Sequence, residues 1–128
     1  MSVVRYLSTK DAPEAIGPYS QATAAGGFLF TAGQIAFDPS TMQVVAGDVT
    51  AQAEQVMKNL TAVLTNAGAS WAEVAKTTIF LVDMNDFAKV NDVYARHIGN
   101  SRPARSTVAV ASLPRGVRVE IELVAKLG

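Results

Sequence analysis

The sequence predicts a single α+β domain over residues 1–128, built from one mixed β-sheet with two helices packed on one face. Two helical patterns lie between stretches of strand-forming residues, and the order strands, helix, strand, helix, strands favours that architecture. A chain of 128 residues, 49% of them hydrophobic, has the size and the apolar content of one domain with its own core. The second face of the sheet is expected to be covered by other copies of the chain, because no further element remains to cover it.

The first third of the chain predicts short strands and turns. Val3–Leu7 is expected to be an edge strand, and Gln21–Ala25 and Phe28–Ile35 are expected to form a hairpin that turns at the Gly26-Gly27 pair. Gly33, within the second of these strands, indicates a bulge or a close approach to the backbone, because glycine has no side chain to keep another group away.

The segment Ile16-Gly17-Pro18-Tyr19 is predicted to be a rigid turn. Pro18 fixes its own φ angle and biases the residue before it away from helix. Such a turn holds Tyr19 in a defined direction. Two interpretations are open at this point: the tyrosine ring packs against the protein, or it lines a binding site.

Two amphipathic helices are predicted in the second half. Thr50 can cap the first helix and Gly68 can end it. The second helix is expected over Asp86–Ile98, and Gly99 closes it. Asn91 falls on the apolar stripe of the second helix and needs hydrogen-bond partners there, so it binds either a loop backbone or a group in a functional site. The stripe of the first helix, at the spacing of one helical face, comprises Ala53, Val56, Met57, Leu60, Val63, Leu64 and Ala67.

Three more strands are predicted around the second helix. Val74–Val82 is apolar on both faces, which suits a strand in the interior of a sheet. The run around Val108 and the alternating residues of Val117–Leu123 indicate two further strands. The turn-forming residues in Leu113–Gly116 lie between these two strands and favour a hairpin.

Arg105 and Glu120 are the polar residues of interest in this hairpin, at the start of its first strand and in the middle of its second. A guanidinium offers a planar fork that fits a carboxylate with two hydrogen bonds, and a carboxylate can hold or activate a water molecule. The two residues are therefore either parts of a catalytic site for a carboxylate-bearing substrate or a surface ion pair, which would contribute little.

Composition excludes several kinds of site and partner. The absence of cysteine excludes disulfides, thiolate metal sites and a cysteine nucleophile, and the single histidine, His97, cannot form a zinc site alone. A net charge of zero argues against a protein that coats nucleic acid or an anionic membrane, although five of the six arginines, between Arg96 and Arg118, leave a local positive patch. No stretch has the length of a membrane span and Met1–Lys10 lacks the apolar core of a signal peptide, so a cytoplasmic protein is expected.

Several blocks of the sequence resemble the RidA/YjgF family. Pro103-Ala104-Arg105-Ser106, followed by Val117-Arg118-Val119-Glu120-Ile121-Glu122, is similar to the C-terminal signature of that family. The resemblance runs from roughly Ala12 to Ala125, with the blocks in the family order. Its other blocks are Ala15–Gln21, Thr31–Ile35 and Lys76–Leu81.

This resemblance implies a chorismate-mutase-like fold, a homotrimer with clefts between subunits, and an enzyme that needs no metal or organic cofactor. The implied reaction is hydrolysis of 2-aminoacrylate or 2-aminocrotonate, through their 2-imino acid tautomers 2-iminopropanoate and 2-iminobutanoate, to 2-keto acids and ammonia. Arg105 would bind the substrate carboxylate, and Glu120 would hold or polarise the attacking water.

The resemblance also implies four substrate-binding residues. Backbone groups at Gly33 and Thr107 would position the imine, and Tyr19 and Asn91 would line the cleft. Thr107 stands where the family often has cysteine, a difference that matters only if the thiol acts chemically.

Further departures from the family lie beside the expected site. Ala32 stands where serine is frequent, and Arg102 stands where an aromatic residue is common. The link over residues 99–102 is a few residues shorter than usual. These differences are expected to affect the shape of the substrate pocket.

Two alternative functions are kept open. Relatives have been called endoribonucleases and translation inhibitors, but the sequence shows no pair of histidines for RNA cleavage and no aromatic platform for stacking bases. The sequence therefore argues against nucleic acid as a partner. The other alternative is a non-catalytic trimer that binds small carboxylates, and the presence of both Arg105 and Glu120 favours turnover over binding alone.

Overall fold

In the computed structural model, which describes residues 3–128, short strands and two α-helices follow each other along the chain. The helices are amphipathic, and several of the strands alternate buried residues with partly buried ones. The elements are β1 (Arg5–Leu7), β2 (Ala22–Ala25), β3 (Phe28–Thr31), β4 (Phe37–Asp38), β5 (Gln43–Val44), α1 (Val49–Asn66), β6 (Val74–Leu81), α2 (Phe87–Ile98), β7 (Ala104–Ala109) and β8 (Val119–Lys126).

Six of these strands form one mixed sheet in the order β1-β2-β3-β8-β6-β7. Neighbouring strands run antiparallel except β6 and β7, which run parallel. Parallel neighbours need a crossover connection, and α2 supplies it here. β4 and β5 form a separate small hairpin. The predicted edge strand near the N-terminus is confirmed as β1, and the predicted interior strand is confirmed as β6, which lies between β8 and β7.

Both helices pack on one face of the six-stranded sheet, as predicted. Ile79 of β6 and Ile121 of β8 belong to one buried cluster with Leu60 of α1 and Val90 of α2. Within residues 3–128, neither helix combines the length and the apolar character needed to cross a bilayer. The observed architecture is therefore the predicted α+β fold, with the small β4-β5 hairpin in addition to the mixed sheet.

The predicted hairpin of the last two strands is wrong. β7 and β8 do not pair with each other, because β6 lies between them, parallel to β7 and antiparallel to β8. The unit β6-α2-β7 is a crossover that brings two parallel strands side by side. Within the predicted turn at Leu113–Gly116, residues Pro114–Gly116 form a short 3₁₀ turn, which lies in the connection from β7 to β8.

The turns and caps follow local chemistry, with some shifts from the predicted boundaries. Gly26 and Gly27 both have positive φ angles, 58° and 82°, and connect β2 to β3 as predicted. The N-cap of α1 is Asp48, not Thr50: the Asp48 side chain accepts a hydrogen bond from the backbone N–H of Ala51 at 3.2 Å. Gly68, with a φ of 77°, follows the last turn of the helix as predicted.

The sheet face opposite the helices carries exposed apolar side chains. Phe30 of β3 and Val108 of β7 each keep 43% of their surface exposed, and Tyr6 of β1 keeps 77%. Leu29 and Leu81, their neighbours on the helix face, are fully buried. Within one chain, the face opposite the helices is therefore left uncovered, and its cover by other copies of the chain stays a prediction.

Candidate active site

A cavity of about 410 Å³ lies where β8 begins, and we call it the Glu120 cavity. Glu120, Gly33 and Tyr19 all contribute to its wall, so the structure brings together three of the six residues that the sequence singled out. Its wall is otherwise largely apolar and also includes a second carboxylate, Glu14, and a cation, Arg115. A concave, mostly apolar space with a few polar groups is typical of a small-molecule site.

Gly33 and Glu120 touch each other inside this cavity. β3 ends at Thr31, earlier than predicted, and Gln34 then forms an isolated bridge with Ile121 of β8. A Cβ atom placed on Gly33 would lie 1.9 Å from Oε2 of Glu120. The predicted close approach at Gly33 is therefore confirmed, and the group that approaches is the Glu120 carboxylate.

The surroundings of Glu120 disfavour its charged form. Burial raises the pKa of the Glu120 carboxyl, and the negative charge of Glu122, on the same face of β8, raises that pKa further. A carboxylate with a raised pKa is a better proton acceptor than an ordinary one, because its affinity for the proton is higher.

Tyr19 lies on the predicted turn at the mouth of the cavity. Its backbone N–H donates to the carbonyl of Gly17 at 2.8 Å, and its phenol oxygen accepts a hydrogen bond from the backbone N–H of Ile16 at 3.3 Å. The ring is 52% exposed and lines the Glu120 cavity. The ring also lies against Gly17 of its own turn, so both interpretations that the sequence left open apply: the ring packs locally and it lines a cavity.

Buried amide side chains hold the loops around the Glu120 cavity. The side chain of Gln21 accepts from the backbone N–H of Thr9 at 2.8 Å and donates to the carbonyls of Thr9, Ala12 and Pro13. From α1, the Asn59 amide donates to the carbonyls of Ile35 and Phe37. Each amide fixes a segment of the cavity wall.

A third amide acts in the same way on β8. The side-chain oxygen of Gln52 on α1 accepts from the backbone N–H of Arg118 at 2.8 Å, just before Glu120. Sequence reasoning missed Gln21, Gln52 and Asn59. For Gln52 and Asn59 the available signal was a polar residue beside the apolar stripe of α1, since such a residue must find partners when it is buried.

Arg105 and Asn91 lie together in a second concavity of about 450 Å³, which we call the Arg105 recess. Nη1 of Arg105 donates to Oδ1 of Asn91 at 2.8 Å. The guanidinium carbon lies 5.0 Å from the centre of the Tyr94 ring and 5.4 Å from that of Phe87. The asparagine and the two rings, all on α2, hold an exposed guanidinium in one orientation, with donors free for a ligand.

Within one chain, Arg105 and Glu120 lie on opposite faces of the sheet. Arg105 is aligned with Thr77, whose hydroxyl lies 2.7 Å from that of Tyr94 on the helix face. Glu120 is aligned with Phe80 and follows the fully buried Val119, so it points to the other face. The expectation that the two residues sit on neighbouring strands is wrong, because β6 separates their strands. A single chain therefore does not bring these two groups together.

Thr107 follows Arg105 on β7, with its side chain on the helix face. Its Oγ1 is buried and has no hydrogen-bond partner among the described residues. β7 is an edge of the sheet, so part of its backbone N–H and C=O groups lack partners in that sheet. The Thr107 backbone lies on the strand that carries Arg105, not at the Glu120 cavity.

The two unusual residues beside the site have different surroundings. Arg102 lines the Arg105 recess, and its Nη1 donates to the carbonyls of Gly99 and Ser101 at 2.8 and 2.7 Å, so it closes the C-terminus of α2. Ala32 lines the Glu120 cavity. Within residues 3–128, no cluster of three or more histidine, aspartate or glutamate side chains is placed to bind a metal ion.

Comparison with known proteins shows the family of the chain. Residues 9–127 match the model of the family described as endoribonuclease L-PSP. A RutC family protein of Synechocystis sp. is 55% identical over 126 residues, which cover 97% of each chain. The 2-iminobutanoate/2-iminopropanoate deaminase of Mus musculus is 48% identical over 128 residues, which cover 99% of this chain and 95% of the mouse protein.

The chain also has relatives among solved structures. The crystal structure of TdcF from E. coli with bound serine superposes with a TM-score of 0.91 at 40% identity, over 97% of this chain and 99% of the other. The chain therefore belongs to the RidA/YjgF (endoribonuclease L-PSP) family.

Proposed function

We propose that the protein is a deaminase that hydrolyses 2-imino acids, such as 2-iminopropanoate and 2-iminobutanoate, to 2-keto acids and ammonia. The observation that carries the proposal is the division of the candidate residues into two half-sites. One holds a guanidinium oriented for a carboxylate, and the other holds a carboxylate of raised pKa that lies against the backbone of Gly33 at the cavity wall. Two relatives support it: the mouse protein is named for this activity, and the E. coli structure contains serine, a small amino acid.

The two half-sites would form one active site between neighbouring subunits of a homotrimer. The Arg105 recess of one subunit would face the Glu120 cavity of the next. The exposed apolar face of the sheet, with Phe30 and Val108, supports this assembly because it needs cover in water. A cyclic, head-to-tail arrangement pairs two different surfaces of identical chains, as the proposal requires.

The chemistry follows from the groups at hand. Arg105, oriented by Asn91, would bind the substrate carboxylate with two parallel hydrogen bonds. Glu120 would accept a proton from a water molecule. At the same time the water oxygen would form a bond to the imine carbon, and the electron pair of the C=N bond would move to nitrogen. That proton would then pass to nitrogen, which gives a carbinolamine with one hydroxyl and one amino group. Glu120 would next move the hydroxyl proton to the amino nitrogen, so that the C–N bond breaks, ammonia leaves and the remaining oxygen forms the keto group. Backbone groups at Gly33 and Thr107 would hold the imine in place.

The direct test is release of ammonia and 2-keto acid from freshly generated 2-aminoacrylate and 2-aminocrotonate. We expect both products in equal amounts from the wild-type protein, at a rate well above that of spontaneous hydrolysis. Binding of 2-oxobutanoate without any acceleration of hydrolysis would instead indicate a trimer that only binds small carboxylates.

A further inference from the structure

Arg115 occupies a backbone conformation that its own residue type does not favour. Its φ and ψ angles are 59° and 17°, in the left-handed region where glycine and asparagine are the common residues. Local strain of this kind is retained where the side chain serves a purpose that the easier residue cannot serve. The presence of arginine at this position is therefore not explained by the turn itself.

The turn is anchored so that the Arg115 side chain lies at the wall of the Glu120 cavity. Val117 is buried in a small apolar cluster with Ile35 and Phe37, and Leu113 packs against the same cluster. The guanidinium carbon of Arg115 lies 5.5 Å from the centre of the Phe37 ring, within range of a cation–π contact. Phe37 and Arg115 both line the Glu120 cavity. The guanidinium is thus supported beside the space where a substrate would lie.

This guanidinium has no partner of opposite charge within the described part of the chain. The ion pairs found there join Arg96 and His97 to Glu54, and Arg118 to Asp86. Glu14 and Glu120 line the same cavity, but neither is within ion-pair distance of Arg115. A cavity-lining arginine without a partner retains its donors for an anionic group of a ligand.

We propose that Arg115 binds a second anionic group of the substrate, so that the site prefers 2-imino acids with a carboxylate at the far end of a four- or five-carbon chain. The inference rests on the proposed function: the carboxylate next to the imine would bind Arg105 of the neighbouring subunit, and the distal carboxylate would bind Arg115. Such imines form when the amine of an acidic amino acid is oxidised, so an amino-acid-oxidising enzyme is the class of reaction that supplies them.

The first test measures binding of keto acid products, which does not depend on turnover. Calorimetric titration would compare 2-oxoglutarate with 2-oxopentanoate, which has the same chain length but no distal carboxylate. A charge-assisted hydrogen bond at this site gives an expected preference of at least about tenfold for 2-oxoglutarate in the wild type. The preference should disappear in Arg115→Gln and in Arg115→Gly. The glycine variant suits the left-handed backbone, so it should fold.

Two further variants separate the local contact from net charge. Arg115→Lys should keep part of the preference, because it keeps the charge but loses the planar fork. Arg5→Gln removes one positive charge from β1, which does not line the cavity, and should leave the preference unchanged. Equal affinity of the wild type for both keto acids would overturn the inference, as would an unchanged preference in both Arg115→Gln and Arg115→Gly.

The second test compares kcat/KM for 2-iminoglutarate and 2-iminopentanoate, each generated in place by an amino acid oxidase. The ratio between these values should fall by about tenfold or more in Arg115→Gln, with the trimer intact by size-exclusion chromatography. If the wild type accelerated the hydrolysis of neither imine but preferred 2-oxoglutarate through Arg115, the proposed function would fail and the anion site at Arg115 would stand. If it hydrolysed 2-iminopentanoate as fast as 2-iminoglutarate, the deaminase would stand and the inference would fail.

Discussion

The carboxylate of Glu120 fills the space in which a side chain on Gly33 would lie, with Oε2 only 1.9 Å from the position of a Cβ atom there. The φ angle of Gly33 lies outside the left-handed region, so the backbone does not require glycine at this position. The requirement comes from the neighbour: glycine leaves room for the carboxylate and exposes its own backbone to the same cavity. Residue 33 and Glu120 therefore act as one unit of the candidate site.

Gly33→Ala is expected to displace the Glu120 carboxylate without unfolding the protein. The atoms in conflict are at the far end of a flexible side chain, so the carboxylate can rotate away while the backbone stays in place. Alanine also reduces the freedom of the unfolded chain, which stabilises by about 0.4–1 kcal/mol. We expect kcat to fall at least about tenfold while the melting temperature is kept or rises. A large fall in melting temperature, or an unchanged kcat, would count against the role of this contact.

Arg105→Ala should reduce kcat/KM at least tenfold, and Arg105→Lys should recover little of it. A hydrogen bond to a charged group contributes about 1.5–3 kcal/mol, and tenfold corresponds to about 1.4 kcal/mol. Lysine cannot form the planar fork, and it cannot stack on the Tyr94 and Phe87 rings in the same way. Asn91→Ala removes only the orienting hydrogen bond and should give an intermediate effect, seen mainly in KM. Steady-state kinetics on all three variants measure whether kcat/KM falls most in the two Arg105 variants and less in Asn91→Ala, and any other ranking contradicts the prediction.

Glu120→Gln should lose turnover and gain stability at neutral pH. Burial raises the pKa of Glu120 in the folded state, so folding favours the protonated form. The free energy of unfolding of the wild type therefore falls as the pH rises from the ordinary glutamate pKa through the raised one. Glutamine carries no charge and avoids this loss. Urea titrations should show the variant to be the more stable protein at pH 7, with the difference largely gone at low pH, where Glu120 is protonated in both states. A variant that is less stable at pH 7 contradicts the assigned cause.

Glu122→Gln should shift the acid limb of the rate profile to lower pH. The negative charge of Glu122 is the second cause of the raised pKa of Glu120, after burial. Its removal lowers that pKa, so Glu120 becomes a proton acceptor at a lower pH. Profiles of kcat/KM against pH for the wild type and the variant measure the shift. Asp11→Asn, an exposed charge that does not line the Glu120 cavity, is a matched control whose limb should not move.

Local patterns were sufficient to predict the fold, and long-range pairing was not. The stripe of α1, the glycine pair between β2 and β3, and the apolar run of β6 each depend on neighbouring residues, and each prediction is confirmed. The pairing of β7 with β6 depends on the crossover through α2, which a turn signal at Leu113–Gly116 obscured. The order strand, helix, strand is typical of two parallel strands that pair with each other. When a helix lies between two strands, this pattern is therefore a better guide to pairing than a turn signal after the second strand.

In the candidate site too, features that depend on local spacing could be predicted, and features that depend on strand pairing could not. Asn91 lies four residues after Phe87 and on the same stripe as Tyr94, so helical spacing alone places it beside them. That Arg105 is its partner depends on the register between β6 and β7, which the sequence does not specify. The separation of Arg105 from Glu120 likewise depends on strand order. The role of Gln21 could not be predicted, because its hydrogen-bond partners lie 8 to 12 residues away in a loop without a periodic pattern.

Mixing two inactive variants tests whether the site is shared between subunits. Arg105→Ala and Glu120→Gln would be unfolded together and refolded at equal concentrations. In a cyclic trimer, each cleft takes its Arg105 recess from one chain and its Glu120 cavity from the next, and each position is filled independently. Roughly a quarter of the clefts would then receive both wild-type groups, so activity should rise to about a quarter of the wild-type value.

The matched control for this experiment is a mixture of Tyr19→Ala and Glu120→Gln. Both residues line the Glu120 cavity of one chain, so every cleft in the mixed trimers keeps one lesion and activity should not rise above that of the separate variants. Native mass spectrometry shows whether mixed trimers have formed. If they have, and the Arg105→Ala and Glu120→Gln mixture stays inactive, the cleft is not shared in this way. If both mixtures gain activity, Tyr19 and Glu120 do not belong to the same half-site in the assembly. Gain in the first mixture alone is the result that the opposite placement of Arg105 and Glu120 on the sheet leads us to expect.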